Sequence, residues 1–167
     1  MKHYILMLSA LVAVSAGRAQ VAVHEKSPKT KYAFTLASPR QTAAILYDAS
    51  DAAVVKRAAE LFAADVEAVT GRYPRVTSAA GETGPAVIVG TVGGSALIRR
   101  LAEAGKIDTA PLEGAWERYL IQTVANPLPG IRKALVIAGS DRRGAAYGLF
   151  TLSELIGVSP WYWWADV

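Results

Sequence analysis

The apolar positions of this chain change their period several times. From Tyr4 to Ala16 they run almost unbroken, with only Ser9 and Ser15 inside. Residues 20–31 are polar. Two apolar runs of strand length follow, Tyr32–Leu36, closed by Ser38-Pro39, and Ala43–Tyr47. The period then becomes helical: Val55, Ala58, Phe62, Val66 and Val69 recur at spacings of 3, 4, 4 and 3. Ser50 reads as the N-cap of that helix, Asp51 as a charge that suits its dipole, and Gly71 as its stop, which predicts a helix over 51–70. Ala86–Val92, rich in Val and Ile, reads as a strand. Gly93-Gly94 follows, Ser95 caps a second helix, and Gly105 ends it. Arg118–Ala125 and Ala134–Ala138 read as two strands joined by the turn Asn126-Pro127-Leu128-Pro129-Gly130, which makes them a hairpin. Ser140 reads as the cap of a third helix over 141–156, with Ala145, Leu149, Leu152 and Ile156 as its apolar face and Gly157 as its stop. Strands alternate with helices, but hairpin-like neighbours stand at the start and before the last helix. The pattern therefore predicts an α/β fold of α+β character: a mixed five-stranded sheet with about three helices packed on it, rather than a purely parallel sheet.

Composition sharpens the picture. A length of 167 residues fits one domain, and 52% hydrophobic residues are ample for a packed core. The first segment reads as an export signal: Lys2, the apolar run, and Gly17-Arg18-Ala19 with small residues placed for a cut after Ala19. The run is thirteen residues, and a membrane span needs about 20. Cleavage would remove Lys2 and Arg18, leaving 16 basic against 14 acidic residues, so half of the +4 charge belongs to the signal. The remaining excess is not clustered, which argues against a nucleic-acid partner. The expected location is secreted or periplasmic, with no membrane attachment after signal removal. Cysteine is absent, which excludes disulfides, zinc-thiolate sites and Cys nucleophiles. The division expected is 1–19 signal peptide, 20–31 polar leader, 32–157 α/β domain and 158–167 aromatic linker.

Few residues can carry chemistry. His3 lies in the signal and His24 in the leader, so no Ser-His-Asp set or histidine metal site can be assembled. Gly90-Thr91-Val92-Gly93-Gly94-Ser95 joins a strand to a helix, where backbone N–H groups can meet a phosphate. It lacks the phosphate-loop Lys and the dinucleotide spacing, and reads as a tight turn into a capped helix. Neither a cofactor nor a metal is expected. Gly139-Ser140-Asp141-Arg142-Arg143-Gly144 is denser. Its ordinary reading is again a cap, with Gly144 and Gly148 letting the helix lie close to the sheet. Its functional reading gives Arg142 or Arg143 a carboxylate ligand, which a guanidinium matches with two parallel bonds. Glu154 falls inside a helix and reads as solvated, so no pair of catalytic carboxylates stands out.

The C-terminal residues are unusual. Three of the four tryptophans, Trp161, Trp163 and Trp164, crowd the last seven positions with Tyr162 among them. They follow neither a helix nor a strand period. They fit burial under a neighbouring domain and a stacking platform for sugar faces equally well.

The stretch Ala138-Gly139-Ser140-Asp141-Arg142-Arg143-Gly144-Ala145-Ala146-Tyr147-Gly148-Leu149-Phe150, continuing through Leu152-Ser153-Glu154-Leu155-Ile156-Gly157-Val158-Ser159-Pro160-Trp161-Tyr162-Trp163-Trp164-Ala165-Asp166-Val167, resembles the N-terminal part of glycoside hydrolase family 115, the xylan α-1,2-glucuronidases. Val87–Val92 and the long helix ending Thr70-Gly71 fit the same pattern. Gly93-Gly94-Ser95 departs from it, since the family often has a lysine after the glycine. The resemblance implies a large secreted enzyme in which this accessory domain precedes a (β/α)8 barrel. The barrel would hold the catalytic groups, with inverting chemistry and widely spaced carboxylates, so no catalytic residue is assigned here. It implies a glucuronoxylan-type polysaccharide or oligosaccharide as substrate and intramolecular packing of this domain on the barrel. Ser140, Asp141, Arg142, Arg143, Trp161, Trp163 and Trp164 are the positions it suggests for substrate contact. Two other classes compete: a free-standing secreted carbohydrate-binding or structural module, and a nucleotide-binding α/β protein.

Overall fold

The computed structural model describes residues 22, 30, 33–78 and 81–159. The signal segment, nearly all of the polar leader and the residues from Pro160 onward, including Trp161, Trp163 and Trp164, lie outside them. The elements run β1 (Ala44–Leu46), α1 (Ala53–Thr70), β2 (Val76–Thr77), β3 (Ala86–Thr91), α2 (Ala96–Glu103), a single 3-10 turn (Ala110–Leu112), β4 (Tyr119–Leu128), β5 (Ile131–Gly139) and α3 (Arg142–Leu155). The five strands form one mixed sheet in the order β2-β1-β3-β5-β4. Only the β4–β5 hairpin is antiparallel.

The expected fold class is found, but one strand is exchanged. Of the run Tyr32–Leu36, Tyr32 lies outside the described residues, and residues 33–36 form no strand. A lone bridge between Ala37 and Thr42 is all that pairs there. Phe34 and Leu36 instead pack their side chains against the core without a backbone ladder. The fifth strand is β2, two half-buried residues paired to β1. The expected hairpin at the start is reduced to that one antiparallel bridge, and β1 is parallel to both of its sheet neighbours. β4 continues through Asn126-Pro127-Leu128 with a register shift between Ala125 and Leu128. Asn126 takes a left-handed φ of 47° there, which an Asn tolerates. This leaves Pro129-Gly130 as the turn. The bulge and Pro127 also blunt the far half of an edge strand.

Both sheet faces are covered, which is why β3 is apolar at successive positions and buried throughout. Ile45, Val87, Val89 and Ile137 face α1 and α3 in one core, with Phe62 and Leu149 fully buried. Leu46, Ile88, Val136 and Ala138 face α2 in the other, with Ile98 and Leu101. The α1 stripe holds for Val55, Ala58, Phe62 and Val66, but Val69 is half exposed, beyond the sheet's cover.

Two N-caps differ from the expectation. α1 starts at Ala53, and Ala52 occupies its N-cap without a side-chain bond. Ser50 is instead folded onto Asp48, its N–H and Oγ both donating to Oδ1 at 2.9 and 2.7 Å. Gly71 closes the helix as expected, with φ 70°. Ser95 caps α2, its Oγ accepting from the Ile98 N–H. The cap of α3 is Asp141 rather than Ser140. That helix ends in a Schellman motif: the Gly157 N–H donates to Glu154 O and the Val158 N–H to Ser153 O.

α3 lies close to the hairpin because of its glycines. A methyl group on Gly144 would collide with the Arg118 carbonyl. One on Gly148 would sit 2.5 Å from the Ile137 side chain and 3.3 Å from the Tyr119 ring.

Candidate functional site

The loops that matter gather at the carboxyl end of the parallel strands. Two clusters of side chains organise them. In the first, Asp51 reaches from the loop after β1 to the end of β3. Its Oδ2 accepts the Thr91 N–H and its Oδ1 the Thr91 hydroxyl, both at 2.7 Å. The Ala52 N–H donates to the same Oδ1 at 2.8 Å. Thr91 Oγ1 in turn accepts the Gly94 N–H at 2.9 Å. Beside it, Asp48 Oδ2 accepts the Ala96 N–H, at the first residue of α2, at 2.7 Å. Donation from the Ser50 side chain, then its backbone, holds the Asp48 carboxyl below the ordinary value.

This is the point where strand order reverses, from β1–β2 to β1–β3, where open α/β sheets commonly bind ligands. Here the N–H groups of Ala52, Thr91 and Ala96 already have carboxylate partners within the chain. The glycine-rich segment 90–95 is thus the turn into a capped helix that its sequence suggests.

The second cluster contains the sequence candidates. Ser140 Oγ accepts the Arg118 N–H at 3.0 Å, and the Ser140 N–H donates to Arg118 O at 2.8 Å. Asp141 Oδ1 accepts the N–H groups of Arg143 (2.9 Å) and Gly144 (2.8 Å). Its Oδ2 accepts the Glu117 N–H at 2.9 Å. These bonds, from Gly144 first and then Glu117, hold its carboxyl below the ordinary value. Asp141 is therefore an acceptor committed to the backbone, and poorly suited to be a general acid near neutral pH. Arg143 pairs with Glu117, Nη1 to Oε1 at 2.6 Å, and that bond raises its own pKa. Arg142 is exposed, and its guanidinium makes no hydrogen bond or ion pair with the described residues.

The structure thus brings Ser140, Asp141 and Arg143 together as a brace across the mouth of the hairpin. Arg142 is left, among the described residues, as the one guanidinium of the loop free to meet a ligand. Glu117, absent from the sequence reading, completes the brace from a left-handed conformation, φ 55°. Two open depressions lie elsewhere. One, of about 740 Å³, is lined by Phe34, Pro85, Gly130 and Arg132. The other, of about 340 Å³, is lined by Leu46, Asp48, Leu97 and Arg100. Neither includes residues 140–143. No group of three metal-ligating side chains occurs among the described residues.

An α/β domain whose carboxyl-end loops are closed by their own aspartates is the class that the fold and site define. No protein-family model matches the chain, and no curated protein does. A solved structure does: a family 115 4-O-methyl-α-glucuronidase with specificity for decorated arabinogalactans. It is 32% identical with a TM-score of 0.58, over 74% of this chain and 15% of the other. The described fold is that of an accessory α/β domain of a glycoside hydrolase family 115 enzyme, and the sequence resemblance has its counterpart in that structure. The chain spans less than a sixth of that relative's length.

Proposed function

We propose that this chain is the N-terminal accessory domain of a larger exported glycoside hydrolase that removes glucuronic acid, or its 4-O-methyl ether, from a polysaccharide. The carrying observation is the 32% identity to part of a 4-O-methyl-α-glucuronidase over most of this chain. The domain itself is non-catalytic in this reading. Its best-placed carboxylate, Asp141, is held ionised by three backbone donors. An inverting hydrolase needs a carboxylic acid with a raised pKa facing a carboxylate across a gap of about 6.5–9.5 Å. Export rests on residues 1–19. Among the described residues, no helix is long and apolar enough to cross a membrane.

Arg142 is the loop residue proposed to meet the uronate carboxylate, with Ser140, Asp141 and Arg143 holding the loop in place. Trp161, Trp163 and Trp164 are proposed to line the passage to the barrel. Glucuronoxylan is the proposed substrate. Decorated arabinogalactan is a second reading, favoured by the specificity of the similar enzyme. The test is a comparison of the two polysaccharides with the polypeptide as its source produces it. Release of the uronic acid from either supports the reading. A source polypeptide that releases none from both would overturn it.

A further inference from the structure

We infer that the β4–α3 edge, centred on Tyr119, Tyr147 and Phe150, is the face through which this domain docks on a following domain of the same polypeptide, one that presents an apolar surface rimmed by carboxylates. This rests on the reading of the chain as part of a longer enzyme, and names the surface that such an enzyme would bury.

Tyr119 is 37% exposed, and Tyr147 and Phe150 are each 41% exposed. They belong to one face. Tyr119 Oη hydrogen-bonds Thr151 Oγ1 at 2.7 Å, which ties the start of β4 to the outer side of α3. Tyr147 lies four residues before Thr151 and three before Phe150, so these side chains neighbour one another on the helix. One turn earlier Arg143 reaches back to Glu117. Leu155, also exposed, extends the stripe toward the end of the helix, and Glu154 is its one charge. Val54, Leu61 and Val69 on α1 are different: they are single apolar residues with Arg57, Asp65 and Glu67 between them. Contiguous exposed apolar surface with a polar margin marks an interaction site; scattered residues do not.

Three further observations select the occupant. Exposed Arg118, Arg142 and Arg143 border the face, three cations against the two carboxylates of Glu117 and Glu154. The Asp141 carboxylate is taken up by backbone donors, so the margin is positive and suits an acidic rim. The chain leaves α3 after Leu155, at the end of the same stripe. The similar enzyme carries about 85% of its length outside the part matched, since this chain covers 15% of it.

Hydroxyl-radical footprinting tests this. Labelling of Tyr119, Tyr147 and Phe150 is compared between the 167-residue chain and the polypeptide from its source, with exposed Tyr73 as the control. The inference expects labelling at least about fivefold slower at the three residues in the longer polypeptide, as for a buried interface core, and no change at Tyr73. Equal rates would overturn it. Uronic acid release is measured on the same samples. Release with equal labelling defeats the docking face and leaves the proposed function standing. Protection without release does the reverse. A source polypeptide that ends at Val167 defeats both. As a second variant, Tyr147→Lys should leave the circular dichroism of the 167-residue chain unchanged and restore fast labelling of Phe150 in the longer one. Continued protection of Phe150 in that variant would count against Tyr147 as the centre of the face.

Discussion

The carboxylate of Asp141 accepts the backbone N–H of Glu117 at 2.9 Å, 24 residues earlier, while its other oxygen caps α3 through Arg143 and Gly144. One side chain thus fixes both the helix start and the entry into the hairpin. Asp141→Ala should cost about 0.5–2 kcal/mol, the range for losing an N-cap, read as a lower urea midpoint with unchanged slope. A loss within error would show that the loop holds itself without the carboxylate.

The same bonds set a pH dependence. The native pKa of Asp141 is depressed by the Gly144 and Glu117 N–H groups, and that of Asp48 by Ser50. A carboxyl with a depressed native pKa contributes its stability above the unfolded value of about 3.9. That stability is lost as pH falls through the lower native value. Urea midpoints should therefore be level near neutrality and decline below about pH 4. In Asp141→Asn the decline should be shallower. An identical decline would show that Asp141 does not contribute to it.

Asp51 and Thr91 are 40 residues apart in sequence and exchange two bonds at 2.7 Å. Asp51→Ala and Thr91→Val should be non-additive, with a coupling of about 0.5–3 kcal/mol in a double-mutant cycle. Additive losses would mean that the two loops close independently.

Gly144 faces backbone, whereas Gly148 faces the movable end of Ile137 and a ring. Both alanine substitutions overpack, at about 1–3 kcal/mol. Gly144→Ala should be the more damaging, because the Arg118 carbonyl cannot swing aside. Thermal melts of the two variants give the order. The reverse order would contradict the close approach at Arg118.

Much of this was legible in the sequence. The six residues of β3 could be read because both faces of a central strand are buried. α1 could be read because its apolar residues keep one helical face. Gly144 and Gly148 could be read as a close approach because small residues four apart share a face. β2 could not: two half-buried residues leave no hydrophobic signal, and their strand character comes from pairing with β1. The run Tyr32–Leu36 misled because Phe34 and Leu36 serve packing rather than pairing. Ser50 and Ser140 looked like caps because capping chemistry is local, but Asp48 and Arg118 bind them instead. Glu117 left no pattern at all, since its role depends on a left-handed backbone and on partners after β5.

In the proposed longer enzyme, Arg142→Ala should reduce uronic acid release more than Arg99→Ala, which removes an exposed guanidinium of α2. Trp161→Ala should also reduce it more than Arg99→Ala. Equal and negligible effects would leave the loop and the aromatic segment with structural roles alone.

The central claim is a non-catalytic accessory domain of a glucuronidase. The most direct measurement is uronic acid released from glucuronoxylan by the purified 167-residue chain, beside the polypeptide from its source. The account predicts no turnover from the chain and clear release from the longer polypeptide. Turnover by the chain alone, or none by the longer polypeptide, would contradict it.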